Sequence, residues 1–209
     1  LGGNSWAARG GRRLLVFDYV EQAGAASSEG ARGRGLARGF IGPADLDSLD
    51  VFVFVAHSHA DHYDSVIHGW RRHARSIHYL FGWRAGTDPS HHYLVGPRTG
   101  VDLAGVRIRT VNSDQDGVPE VAYLVQLDGW TIYHNGDYRG EIREDFAHLR
   151  RFADRVDLAF LVSGWPREEH PLFRLARHFV EVFRPSHAFL IDRLGQERRP
   201  EPFARFLAD

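Results

Sequence analysis

Cysteine is absent from the 209 residues. That removes thiolate metal sites, thiol nucleophiles and disulfide pairs from consideration. Lysine is absent as well, all 26 basic residues being arginine, so no Schiff base can form on a lysine amine. There is no methionine either. No apolar run is long enough to cross a bilayer and no signal-peptide pattern is visible; with the missing cysteines, this sets a cytoplasmic location without membrane contact as the expectation. Charge of one sign is not in excess, the formal net charge being -1, and no basic cluster supplies the footprint of a nucleic-acid binder. The length suits one domain over residues 1–209 and is short for two. A domain of this size buries about 70% of the surface its unfolded chain exposes, so a core can form without covalent staples.

What the chain does have is a series of short apolar runs. LLVFD (14–18) and VFVFVA (51–56) read as strands, the second covered on both faces. Further strands are expected at 77–81, 106–111, 121–127, 130–135, 158–162 and 187–191. Asp128-Gly129 marks a hairpin between two of them. Helices are expected over about 65–75 and 141–152. In a third, Leu172, Leu175, Ala176, Phe179, Val180 and Phe183 hold the i, i+3, i+4, i+7 spacing of an amphipathic face until Pro185 ends it. A final helical piece is expected near Pro202, and the Gly/Ala/Ser-rich stretch 21–35 reads as a surface loop. Hairpin strands followed by alternating helices and strands give an α/β (α+β) chain. The expected architecture is two packed sheets with helices outside, a four-layer αββα sandwich.

Thirteen histidines are present, and their clustering is more informative than their number. His57-Ser58-His59-Ala60-Asp61-His62 follows the second apolar run directly. In extended chain, residues two apart point the same way, so His57 and His59 can share one metal ion. Asp61 and His62, where the chain turns, can reach a second. Imidazole and carboxylate suit zinc, manganese or iron. A solvated polar loop is the plain alternative for any single histidine, but four ligand-type residues within six positions at a strand end favour a metal centre.

HSHADH matches the H-x-H-x-D-H signature of the metallo-β-lactamase superfamily, which the chain resembles over most of its length, with the lactonase-like and uncharacterised hydrolases as the nearest branch. LLVFDY, with Asp18, resembles the first motif, whose acid supports the metal loop. TIYHNGDY resembles the strand that ends in Gly-Asp, so the resemblance makes Asp137 a carboxylate bridging two metals. VDLAFLV and FRPSHAFLID resemble the last third of the fold.

Two positions depart from the family pattern. The third-motif histidine is missing from VNSDQDGVPEVAYLV, where Asp114 and Asp116 are candidate substitutes, Ser113 is a weaker one, and an acidic turn without metal contact is the plain reading. The last-motif histidine falls at Asp192, with His187 as an alternative at the wrong end of its strand. The resemblance implies a hydrolase holding one or two divalent ions (zinc, or manganese or iron), with Asp61 as general base toward a metal-activated water. A small ester, lactone or phosphoester is the expected substrate, with no nucleic-acid partner. Four carboxylates against two divalent ions would neutralise the centre and favour manganese or iron. The losses at two ligand positions leave a second possibility, a degenerate member with a binding or regulatory role. His134, in the strand before Asp137, is a candidate for supporting hydrogen bonds.

Overall fold

The computed structural model describes residues 4–21, 40–84, 86, 88–115, 117–162 and 170–191. The first sheet comprises β1 (Trp6–Gly10), β2 (Arg13–Phe17), β3 (Asp50–Val55), β4 (Ser76–Phe81) and β5 (His91–Tyr93), in that spatial order. Only its β1–β2 pair is antiparallel. The second sheet contains β6 (Gly100–Leu103), β7 (Val106–Gln115), β8 (Val118–Leu127), β9 (Trp130–His134), β10 (Leu158–Val162) and β11 (His187–Ile191), again in sequence order. It is antiparallel from β6 to β9 and parallel from β9 to β11. Outside the sheets lie α1 (Pro43–Leu46), a 3₁₀ helix (Ser65–Arg72), α2 (Ile142–Arg150) and α3 (Pro171–Phe183).

Period-2 alternation sorts the apolar side chains of the first sheet. Leu15, Phe17, Phe52 and Phe54 face the second sheet and join the core that continues to α2 and α3. Leu14, Val16, Val51, Val53 and Val55 face the other way, onto Ile41 just ahead of α1, Leu46 of α1, and Ile67 and Trp70 of the 3₁₀ helix. Both faces of β2 and β3 are therefore covered, which accounts for their unbroken apolar runs. The expected αββα layering is present, with helices on each outer face.

The departures are local. The segment 65–72 is a 3₁₀ helix instead of the α-helix expected over 65–75; Val66, Ile67 and Gly69 are all poor α-formers, and Asp64 Oδ1 accepts from the Val66 amide at 3.0 Å to start a tight turn. β1, β5 and β6 were not expected. β1 and β5 are edge strands of three to five residues without a fully buried face, and β6 alternates between exposed and half-buried positions, so none carries a strong apolar pattern. β7 and β8 run to ten residues each, longer than the apolar runs alone suggest. Among the described residues no helix is long and apolar enough to cross a membrane. The expected helix near Pro202 lies outside the described residues.

One seam between the sheets positions everything that follows. The Ala56 amide donates to Asp18 Oδ1 at 2.7 Å, and the Ala56 carbonyl accepts from the Val121 amide at 3.2 Å. The buried Tyr123 hydroxyl donates to the carbonyls of Val55 at 2.8 Å and Leu80 at 2.9 Å. The C-terminal end of β3 is thereby fastened to the start of β8 in the opposite sheet.

Candidate metal centre

β3 ends in that seam, and the next residue is His57. His57, His59 and His62 gather within one small volume, with ring centroids 4.7 Å apart for His57–His59 and 4.1 Å for His57–His62. Their potential ligand atoms fall into two groups, His57–His59–Asp61 and His57–His62–Asp137, each with all atoms within 4.8 Å of one another. Asp137 arrives from the turn after β9, where Gly136 has φ +52° and no room for a side chain: a Cβ there would lie 2.6 Å from Ala56 Cβ and 2.9 Å from Glu120 Oε1. The Gly-Asp pair of TIYHNGDY is thus dictated by backbone geometry as well as by the carboxylate. His62 joins the two groups, its Nε2 lying 3.5 Å from both Asp61 Oδ2 and Asp137 Oδ1.

Asp18 orients this ring. It is fully buried with φ 44°, and its Oδ2 accepts from His62 Nδ1 at 2.7 Å. That bond fixes the proton on Nδ1 and leaves Nε2 aimed at the carboxylates, the arrangement by which a carboxylate prepares a histidine to bind a cation. Burial would raise the Asp18 pKa, but His62, His134 and the Ala56 amide bring it below the usual value. Burial likewise opposes charge on His62, and Asp18 and Asp137 overcome it to lift its pKa well above normal. The pocket therefore calls for positive charge at the Nε2 position.

His57 gives the sharpest test of whether a cation fits. Its side chain is wholly buried, and among the described residues neither ring nitrogen makes a hydrogen bond. Burial first, and then His62, push its pKa down to about 4, so the ring is neutral with a lone pair available. Buried polar atoms without partners are costly, and here a cation shared with His59, Asp61 and Asp137 would satisfy them. The donor set fits a divalent metal.

A residue that the sequence reading missed completes the inner wall. Glu120, at the start of β8, is buried, and its Oε1 accepts from the Asp137 amide while lying 3.6 Å from His57 Nδ1. Its Oε2 accepts from Ser113 Oγ at 3.1 Å. Burial and the neighbouring Asp137 push its pKa up to about 8. Its one mark in the sequence is a lone acid just ahead of an apolar run, which does not by itself single it out.

The other candidates separate clearly. Asp114 is exposed and its Oδ1 accepts from the Gly117 amide at 2.6 Å, closing the β7–β8 turn; the structure does not bring it to the cluster, so its expected place as a ligand gives way to a turn role. The hairpin register explains this: Asp114 pairs with Pro119 near the tip, whereas Ser113 pairs with Glu120 one step nearer the site. Asp116 and Asp192 lie outside the described residues. His187 opens β11 beside Leu158, which itself pairs with Ile132, at the end of the sheet away from Asp137. His134 is buried and pairs with the amino-terminal segment, its Nε2 donating to the Asn4 carbonyl at 3.2 Å and its Nδ1 accepting from the Gly136 amide at 3.2 Å. Burial lowers its pKa, in keeping with that neutral tautomer.

A family model described as Beta-lactamase superfamily domain matches residues 1–162. The chain is similar to the UPF0173 metal-dependent hydrolase of Thermococcus kodakarensis, with 28% identity over 172 residues, 75% of this chain and 74% of that one. Among solved structures it resembles CmlA, a diiron beta-hydroxylase from Streptomyces venezuelae, with TM-score 0.64 and 14% identity over 100% of this chain and 48% of that one. It also resembles Igni18, a metallo hydrolase from Ignicoccus hospitalis, with TM-score 0.58 and 15% identity over 98% and 85%. The chain spans about half the length of the hydroxylase, and likeness at these identities speaks for the fold alone.

Proposed function

The chain belongs to the family described as Beta-lactamase superfamily domain, and from that premise we propose that it is a metal-dependent hydrolase of small esters, lactones or phosphoesters. The observation that carries the reading is the buried, neutral imidazole of His57, without a hydrogen bond among the described residues, at the meeting point of His59, Asp61, His62 and Asp137. The name of the Thermococcus relative, a metal-dependent hydrolase, supports it.

His57, His59, Asp61, His62 and Asp137 would hold one or two divalent ions, with Glu120 as the inner carboxylate in place of a third-motif histidine. A bound divalent ion supplies Lewis acidity and lowers the pKa of a water molecule. The chain's own residues do the rest. Asp61 is the acid at the mouth, its side chain 45% exposed, and can hold the attacking water and take its proton. Asp18 holds His62 in the tautomer that leaves Nε2 free. Glu120, anchored by Ser113 and the Asp137 amide, fixes Asp137 and adds negative charge. Three carboxylates and three imidazoles make an oxygen-rich centre in which manganese or iron competes well with zinc.

The test is metal analysis combined with a turnover screen. Chelator-stripped protein reloaded with zinc or manganese is expected to hydrolyse members of an ester, lactone and phosphodiester panel, and the stripped protein is not. His59→Ala is expected to lose both metal and turnover. Retention of full metal content by His59→Ala, or turnover that survives chelation, would overturn the proposal. Metal binding without turnover of any panel member would favour the binding or regulatory role.

A further inference from the structure

The turn that delivers Asp137 is held from several sides. Two residues before it, the Asn135 amide donates to the Phe160 carbonyl at 3.1 Å and Asn135 Oδ1 accepts from the Val162 amide at 2.8 Å, both on β10. The Tyr138 amide closes the turn onto the Asn135 carbonyl at 2.9 Å, and the Asp137 amide donates to Glu120. A further hold comes from a side chain outside the ligand set. Tyr138 is fully buried, and its ring lies so close over Gly140 that a Cβ there would fall 2.6 Å from Tyr138 Cε2. Its hydroxyl donates to Oδ2 of Asp145, in the first turn of α2. Asp145 is only 3% exposed, and its other oxygen accepts from Arg98 Nε at 2.8 Å. Arg98 also reaches Glu144 Oε2 at 3.0 Å. The loop that carries Arg98 is joined to β7, the Asn112 amide donating to the Pro97 carbonyl at 3.3 Å and the Thr110 amide to the Thr99 carbonyl at 2.9 Å.

We propose that Tyr138, held by Asp145 and Arg98, is a positioning residue that aims the Asp137 carboxylate at the cation site. This rests on the proposed metal centre and extends it into α2, which supplies none of the proposed ligands. The chemistry of the triad carries it. A buried carboxylate paired with an arginine is a poor source of stability, because desolvating the charges offsets most of their attraction, and apolar side chains of similar size often serve as well. What the triad adds to apolar packing is direction. A hydrogen bond to a carboxylate sets the hydroxyl in one place, where a phenylalanine ring could slide. Burial and the Asp145 bond push the Tyr138 pKa up, which keeps the hydroxyl a donor. Asp137 is the next residue along the chain from that ring. Its backbone is therefore fixed on both sides, by β10 through Asn135 and by α2 through Tyr138, and only its own side-chain torsions remain to be set. A metal site admits about 0.2 Å of error in a ligand distance, so a turn released on the α2 side loses affinity although no ligand has been changed.

The experiment is a cobalt(II) titration of the chelator-stripped full chain, read by absorption spectrum and by competition with a chromophoric chelator, at a temperature where circular dichroism shows the variants native. Tyr138→Phe keeps the ring and removes the hydroxyl. It is expected to bind at least one equivalent about tenfold more weakly, the lower end of what losing a supporting contact costs a metal site, with a shifted cobalt spectrum. Asp145→Asn cannot offer a carboxylate oxygen to both Tyr138 and Arg98, and is expected to move both readouts in the same direction. Phe183→Leu, on the buried face of α3, is the control: it is expected to lower Tm and to leave affinity and spectrum at their wild-type values. A triad that only stabilises the fold would behave like this control, because lost stability does not alter the native site while the protein stays folded. Wild-type affinity and spectrum in Tyr138→Phe overturn the proposal alone, and so does a control that loses affinity along with Tm. If Tyr138→Phe does not fold, Asp145→Asn decides on the same two readouts. A wild type that binds no cobalt overturns the metal centre together with the proposal.

Discussion

Replacing Asp18 by asparagine isolates the role of a single proton. In the native protein, Asp18 Oδ1 accepts from the Ala56 amide and Oδ2 accepts from His62 Nδ1, each at 2.7 Å. An asparagine retains one oxygen for the Ala56 amide and turns an N–H toward His62. Two donors cannot face each other, so the imidazole gives up its Nδ1 proton, keeps the one on Nε2, and accepts from the new amide at Nδ1. The local hydrogen bonds are then still satisfied. The backbone φ of 44° is one that asparagine tolerates better than most residues, so the fold is expected to survive. What is lost is a nitrogen that can give up its proton to a cation facing Asp61 and Asp137. Loss of such an orienting carboxylate typically costs about 10–100-fold in metal affinity, or about 1.4–2.8 kcal/mol. Competition against a chromophoric chelator measures this for each equivalent, and circular dichroism checks the fold. Asp18→Asn with unchanged affinity for both equivalents would refute the tautomer argument, because the same substitution cannot leave both His62 nitrogens as they were.

Two further outcomes follow from the same geometry. Gly136→Ala forces a side chain into left-handed backbone at about 1–2 kcal/mol, against Ala56 Cβ and Glu120 Oε1 at under 3 Å; a fall in Tm of at least about 2–8 °C is expected for a chain of this length, and an unchanged melting curve would show that the turn is not tightly packed. Metal binding is expected to release protons, because Glu120, with its pKa pushed up to about 8, and His62, with its pKa raised well above normal, are both protonated near neutrality without a cation. Affinity should therefore fall as pH drops through about 8 and recover above it; calorimetry in buffers of different ionisation enthalpy reads the proton count, and pH-independent binding would contradict the carboxylate assignment.

Much of the architecture was legible because the signals are local. VFVFVA, LLVFD, LAFLV and HAFLI announce strands by composition, and the spacing of Leu172 to Phe183 announces α3. The edge strands β1 and β5 were not legible, because their residues are mostly half-buried without an apolar alternation and gain their conformation from pairing with β2 and β4. HSHADH and Asp137 drew attention to themselves as ligand-type residues in a recurring pattern. Glu120 did not, since a single acid beside Pro119 and Val121 is unremarkable until the hairpin register sets it opposite Ser113 and the seam at Ala56 carries it against His57. Asp114 shows the converse: an acid in a suggestive place that the register sends to the turn.

By itself the sequence determined the buried strands and the helices α2 and α3, and that four metal-seeking side chains would leave the end of a buried strand together. Both depend on interactions within a few residues: side-chain alternation in the strands, the helical repeat, and the two-residue spacing of His57 and His59. The family resemblance had marked Asp18 and Asp137, and only the tertiary structure set Asn4 and Glu120 beside them. Asn4, Asp18, Glu120 and Asp137 come from four segments, and their convergence depends on hydrogen bonds between the two sheets and on the one glycine that lets Asp137 approach, neither of which leaves a periodic trace along the chain.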